Sequence, residues 1–229
     1  MEPVNRIQHN VLAATERRFL TWLCARLPAW VKPDHLTALG LVGALIIFAG
    51  YWASALHAEW LWLVIAGLVV HWLGDSLDGS LARFRHIERP DFGYFIDHSV
   101  DALANLMILA GLGLSPFVRL DIALFTLAGY LLLSVHAFLA ARVVGDLRLS
   151  YLAAGPTELR LLLVAMTLAM FPLGSAPVLG TGLSAFDLFV LGVGIVLIVL
   201  FVIQTLSTAR QIVRRGGVDL KERGARAAR

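Results

Sequence analysis

A single cysteine, Cys24, leaves this chain without an internal disulfide, so it cannot be a disulfide-braced scaffold. Charge is scarce too: 15% of residues are charged, where soluble domains carry about 25%. No repeat or low-complexity domain interrupts the sequence. The region from about Asn5 to Ala29 lacks the continuous apolar core of a secretory leader, because Arg17, Arg18 and Arg26 break it. The net charge of +3 does not point to nucleic acid as a partner, since basic ends meeting anionic lipid headgroups account for it.

What is abundant is apolar sequence. Hydrophobic residues make up 59% of the chain, above the usual range of about 45–50%, and the mean hydropathy is +0.78. Runs near the length of a membrane span, about 20 residues, lie near 35–56, 60–82, 92–114, 117–142, 157–175 and 185–209. The fold expected is therefore an all-α integral membrane protein of about six transmembrane helices. Ahead of them, Ile7, Val11, Phe19, Trp22, Leu23 and Leu27 recur at near-helical spacing opposite the arginines. That pattern predicts an amphipathic helix on the cytoplasmic surface, ended by Pro28 and Pro33. The organisation expected is 1–34 juxtamembrane, 35–212 a six-helix catalytic domain, and 213–229 a basic cytoplasmic tail, polar enough to be disordered.

Lysine and arginine fix the orientation. They gather before the first span, between spans two and three (Arg83, Arg85, Arg89), around the connection of spans four and five (Arg142, Arg148, Arg160), and after the last span. The alternate connections hold Arg119 alone. By the positive-inside rule both termini are cytoplasmic, and the expected location is a bacterial inner membrane. Pro172 to Gly182 then reads as an uncharged extracytoplasmic turn. Cys24, His71, His136, Gly192, Gly194 and the tryptophans take packing or interface roles by default.

Four aspartates stand out against this background: Asp75 and Asp78, three apart, and Asp97 and Asp101, four apart. A carboxylate at bilayer depth costs roughly 2.5–3.5 kcal/mol even on the lenient scale, so each needs a partner. Residues three or four apart share a helix face. Two facing pairs would make a cage of oxygens suited to Mg²⁺, Mn²⁺ or Ca²⁺ and not to a soft metal. If the aspartates were merely helix-end charges, Arg83, Arg85 and Arg89 would be their partners.

The full pattern is D-x2-D-G-x2-A-R, nine residues, then G-x3-D-x3-D, on Asp75, Asp78, Gly79, Ala82, Arg83, Gly93, Asp97 and Asp101. It closely resembles the motif of the CDP-alcohol phosphotransferase family. Lys32-Pro33-Asp34-His35-Leu36-Thr37 is similar to the family's Pro-Asn-x-x-Thr entry to its first helix, with Asp34 in place of asparagine; a helix cap by Asp34 explains it almost as well.

The resemblance implies transfer of a substituted phosphate from a CDP-alcohol to a lipid or polar acceptor alcohol, with release of CMP. It implies two Mg²⁺ or Mn²⁺ ions on Asp75, Asp78, Asp97 and Asp101, with Asp101 also the general base. Gly79, Ala82, Arg83 and Gly93 would meet the nucleotide, and the enzyme would be a homodimer. His98, pointing about 100° away from Asp97 on a helix, is the rival base.

His98 and Gly155-Pro156-Thr157-Glu158 look like the branch that joins CDP-choline or CDP-ethanolamine to diacylglycerol. Tyr94 departs from that branch, which commonly has an acidic residue there. Arg142, Arg148 and Arg160 suit the competing branch, in which CDP-diacylglycerol meets glycerol phosphate, inositol phosphate or serine. With Glu158 they complete the candidate acceptor or headgroup site. Arg85 and Arg89 are expected to touch lipid headgroups. A cation-binding transporter is the alternative class, but the Gly/Pro-broken helices it needs in corresponding halves are not seen.

The topology is testable. Cysteines introduced near either end of the chain should react with an impermeant maleimide only in permeabilised cells; labelling of both ends in intact cells would overturn the orientation.

Overall fold

Pro33, Pro90 and Pro156 each begin a helix, the position where a missing N–H is harmless and a fixed φ already suits the helix. The computed structural model describes residues 13–144, 156–178 and 180–227. They form α1 (Ala13–Cys24), α2 (Pro33–Ala53), α3 (Leu61–Phe84), α4 (Pro90–Gly113), α5 (Leu120–Val144), α6 (Pro156–Leu173) and α7 (Ala185–Ala227), with a short 3-10 turn at Ala58–Trp60. Among the described residues the only β pairing is an isolated bridge between Pro177 and Ser184. The protein is an all-α membrane protein.

Five helices, α2 to α5 and the first part of α7, are long and apolar enough to cross a bilayer; the described apolar part of α6, Leu159–Leu173, is shorter. Their outer faces leave Val42, Leu45, Val135, Leu139, Ile195 and Ile203 about half exposed. Water would penalise so continuous an apolar exterior, and lipid would not.

The bundle is organised around α2, which packs against both α3 and α4. Small residues permit the α2–α3 crossing. A Cβ on Gly74 would stand 2.6 Å from Gly40 Cα, and one on Gly43 would stand 2.6 Å from His71 Cα. His71 Nδ1 donates across the crossing to the Gly40 carbonyl at 2.9 Å. Below it, Ile47, Tyr51, Leu61, Val64 and Leu112 are almost fully buried, and the Tyr51 hydroxyl meets Thr167 of α6 at 2.8 Å. On the far side α5 packs against α7, where Thr126 bonds to the Val190 carbonyl at 2.9 Å.

Several expectations need correction. The amphipathic α1 does not simply float on lipid: it docks along α3. Glu16 accepts from Trp72 Nε1 at 3.0 Å, Phe19 stacks on Trp72, and Leu20 and Cys24 are buried in a cluster with Leu77 and Leu81. The buried stripe is thus Leu20/Cys24, whereas Phe19 and Trp22 remain exposed. Cys24 is a packing residue, and burial pushes its thiol up from its ordinary range.

Arg85, expected at headgroups, instead donates to the carbonyls of Leu27, Pro28, Ala29 and Val31, closing the chain reversal after α1. Arg89 pairs with Asp34, so Asp34 is not the helix cap; Lys32 occupies that position. The uncharged turn expected over Pro172 to Gly182 starts at Gly174, because α6 runs through Pro172. The tail beyond 212 continues α7 to Ala227; its alanine, lysine, glutamate and arginine are good helix formers.

The α2–α3 crossing makes a clear prediction. Gly74→Ala should cost about 1–3 kcal/mol, because the new methyl meets backbone that must move. Gly192→Ala, where a Cβ meets nothing within 4 Å, should be neutral or slightly stabilising. Thermal midpoints in detergent would check this, and equal midpoints for the two variants would contradict the crossing.

Candidate active site

The turn from α3 to α4 sets the site. The two helices run in opposite directions from it, so depth can be counted in residues from Phe84 and Pro90. At 1.5 Å per residue, Asp78 and Asp97 both lie roughly 10 Å in, and Asp75 and Asp101 roughly 15 Å in. The four aspartates do converge. Together with Thr37 and Gly40 of α2, His71 of α3 and Val100 of α4, they line one pocket. Asp75 and Asp101, at equal depth on the two helices, both line it.

Each carboxylate is held differently. Asp78 Oδ2 accepts from Thr37 Oγ1 at 2.7 Å, and Asp78 Oδ1 accepts from the Gly79 N–H at 2.5 Å. Asp75 pairs with Arg160 of α6. Asp97, His98 and Asp101 offer ligand atoms within 4.8 Å of one another, the one such cluster among the described residues. His98 is seated against Tyr94 (4.4 Å) and Phe138 (4.8 Å), and so joins the aspartates despite its expected direction on the helix.

Arg83, Arg85 and Arg89 are engaged elsewhere, with Ser80, with backbone carbonyls and with Asp34. Helix-end pairing with those arginines therefore does not explain the cluster. An all-oxygen set of carboxylates, one oriented by a hydroxyl and a backbone N–H, fits a hard divalent cation.

The remaining sequence-derived residues spread outward from this pocket. Gly79 carries the Arg83 guanidinium above it, 3.3 Å from where a Cβ would be. Arg83 itself is exposed, and Ala82 is half-buried. Gly93 is exposed, and a Cβ there would meet open space; protein packing does not require glycine at that position. Arg160 reaches Asp75, whereas Arg142 is exposed at the end of α5. Arg148 and the Glu158 side chain lie outside the described residues.

Thr37 and His71 are site residues that sequence reasoning left without a role. His71 stands four residues before Asp75, the same helix face, and that spacing was the available signal. For Thr37 the signal was its place in the Pro33–Thr37 segment.

Comparison with known proteins agrees with this geometry. The profile of the CDP-alcohol phosphatidyltransferase family matches residues 30–203. Cholinephosphotransferase 1 of Homo sapiens is 30% identical over 99 residues, 41% of this chain and 24% of that protein. Archaetidylinositol phosphate synthase of Pyrococcus horikoshii is 32% identical over 106 residues, 45% of this chain and 52% of that protein. The enzyme of the same name from Methanothermobacter thermautotrophicus is 30% identical over 134 residues, 58% of this chain and 65% of that protein. The chain thus spans about a quarter of the length of the first relative and about half to two-thirds of the other two. With the match running across α2 to α7 and through all four aspartates, this chain belongs to the CDP-alcohol phosphatidyltransferase family.

Proposed function

We propose that the protein transfers a substituted phosphate from a CDP-alcohol to an acceptor alcohol in the membrane and releases CMP. The observation that carries this reading is the convergence of Asp75, Asp78, Asp97 and Asp101 from two helices on one pocket, in a chain of this family. These four carboxylates would hold two Mg²⁺ or Mn²⁺ ions. Such ions, when bound, supply positive charge to the pyrophosphate oxygens and align the attacking and leaving oxygens.

The protein's own groups account for the rest. Thr37 and the Gly79 N–H keep Asp78 turned into the pocket. Arg83 offers a planar fork of donors to phosphate oxygens, and Gly79, Ala82 and Gly93 leave room for the nucleotide to approach backbone. Asp101 takes the proton of the acceptor hydroxyl as its oxygen bonds to phosphorus. The bond from phosphorus to the CMP oxygen breaks, and CMP leaves with the electron pair.

A second reading of the base has support in His98, whose ring lies within the Asp97–Asp101 cluster; an imidazole titrates nearer neutral pH than a carboxylate. For substrate, we favour CDP-choline or CDP-ethanolamine with diacylglycerol, on His98 and the similarity to cholinephosphotransferase. The competing reading, CDP-diacylglycerol with a phosphorylated polar alcohol such as inositol phosphate or glycerol phosphate, or with serine, is favoured by Arg160 against Asp75 and by the archaeal relatives. The active site would face the cytoplasm in a six-span homodimer with one site per subunit.

Purified protein assayed for CMP release over a panel of CDP-alcohols and acceptors decides between the branches. Asp75→Asn, Asp78→Asn and Asp97→Asn should nearly abolish turnover and weaken its dependence on divalent ion; full activity with an unchanged requirement in any one would remove it from the ligand set. Asp101→Asn should keep CDP-alcohol binding and lose about 10²–10⁴ in turnover, the range for lost acid–base catalysis. Normal turnover in Asp101→Asn, or loss of catalysis with intact nucleotide binding only in His98→Ala, would transfer that role to His98.

A further inference from the structure

Arg160 brings a positive charge onto one of the proposed metal ligands, Asp75. Its Nη2 pairs with Oδ2 of Asp75, the two side chains being 15% and 21% exposed. Asp75 lines the same pocket as Asp101, and the guanidinium takes one of its oxygens. A half-buried cluster of four carboxylates requires nearby positive charge. The basic residues closest in sequence do not supply it: Arg83 turns to Ser80, Arg85 to four carbonyls and Arg89 to Asp34. The charge comes instead from the second turn of α6, 85 residues away.

A divalent ion and a guanidinium on the same oxygen repel each other. Farther along, α6 is anchored independently: Thr167 bonds to Tyr51 at 2.8 Å, and Met166 and Met170 are buried in the core. Nearer its start, α6 is joined to α3 by the Arg160–Asp75 pair.

We propose that Arg160 is a stand-in counter-ion that latches the start of α6 to Asp75, and that a divalent cation binding this carboxylate displaces it. Metal loading therefore frees the first turns of α6 while its distal half stays anchored. This rests on the metal reading above.

Mn²⁺ binding to the full-length protein, followed by electron paramagnetic resonance without substrate, provides the first readout. Arg160→Gln removes the competitor and should tighten Mn²⁺ binding by about 5–150-fold, the ordinary range for coupling between linked sites. Arg160→Lys, which keeps the charge but loses the fork, should fall between the two. The second readout is hydrogen exchange at the start of α6: Mg²⁺ should speed it in the wild type, whereas Arg160→Gln should exchange fast with or without Mg²⁺. A general loss of negative potential would change affinity without moving α6, so both results are required.

Weaker or unchanged Mn²⁺ binding in Arg160→Gln would make Arg160 a brace for Asp75 and overturn the proposal. So would exchange at α6 that Mg²⁺ slows or leaves unchanged in the wild type. Absence of any Mn²⁺ binding by the wild type would instead overturn the metal reading itself, and this inference with it.

Discussion

Four carboxylates inside an apolar bundle are the constraint on which the rest of this structure depends. Each is costly alone, and their mutual repulsion is costlier still where solvent does not screen it. The protein meets that cost with directed donors: a threonine hydroxyl and a backbone N–H on Asp78, a guanidinium on Asp75. An unusually close α2–α3 crossing makes the first of these possible. With Gly40, Gly43 and Gly74 at the crossing, α2 approaches near enough for Thr37 to touch Asp78 and for the Gly40 carbonyl to hold His71. Larger residues there would separate the helices and leave Asp78 without its hydroxyl.

The rest of the fold holds this layer in place from both sides. Toward the bundle interior, the buried cluster around Ile47, Tyr51, Val64 and Ile108 fixes α2, α3 and α4 relative to one another. Toward the other end, α1 packs on Leu77 and Leu81, which flank Asp78 along α3. Arg85 then ties the α3 terminus to the loop after α1 through four carbonyls. The site is thereby built on helices and not on loops, which suits chemistry that depends on alignment.

Local sequence made the α3–α4 half of the site legible. Helix spacing put each aspartate pair on one face, and the nine residues between Arg83 and Gly93 set Asp75 level with Asp101 across a short turn. Contacts from distant elements were not legible in the same way. Nothing in the spacing of α6 says that Arg160, and not Arg142, reaches the aspartates; that depends on how α6 leans on α3. The amphipathic pattern of α1 was visible, but both Leu20/Cys24 and Phe19/Trp22 are apolar, and periodicity alone cannot say which side meets protein and which meets lipid. Arg85 and Arg89 looked like headgroup contacts because their carbonyl and Asp34 partners lie more than fifty residues earlier.

The central claim is that these four aspartates form one divalent-metal centre. Crystals grown with Mn²⁺ and CDP, measured at the manganese absorption edge, test it most directly. The account predicts anomalous density enclosed by Asp75, Asp78, Asp97 and Asp101, with the diphosphate of CDP against it. Density confined to another part of the molecule, or none at saturating Mn²⁺, would contradict it.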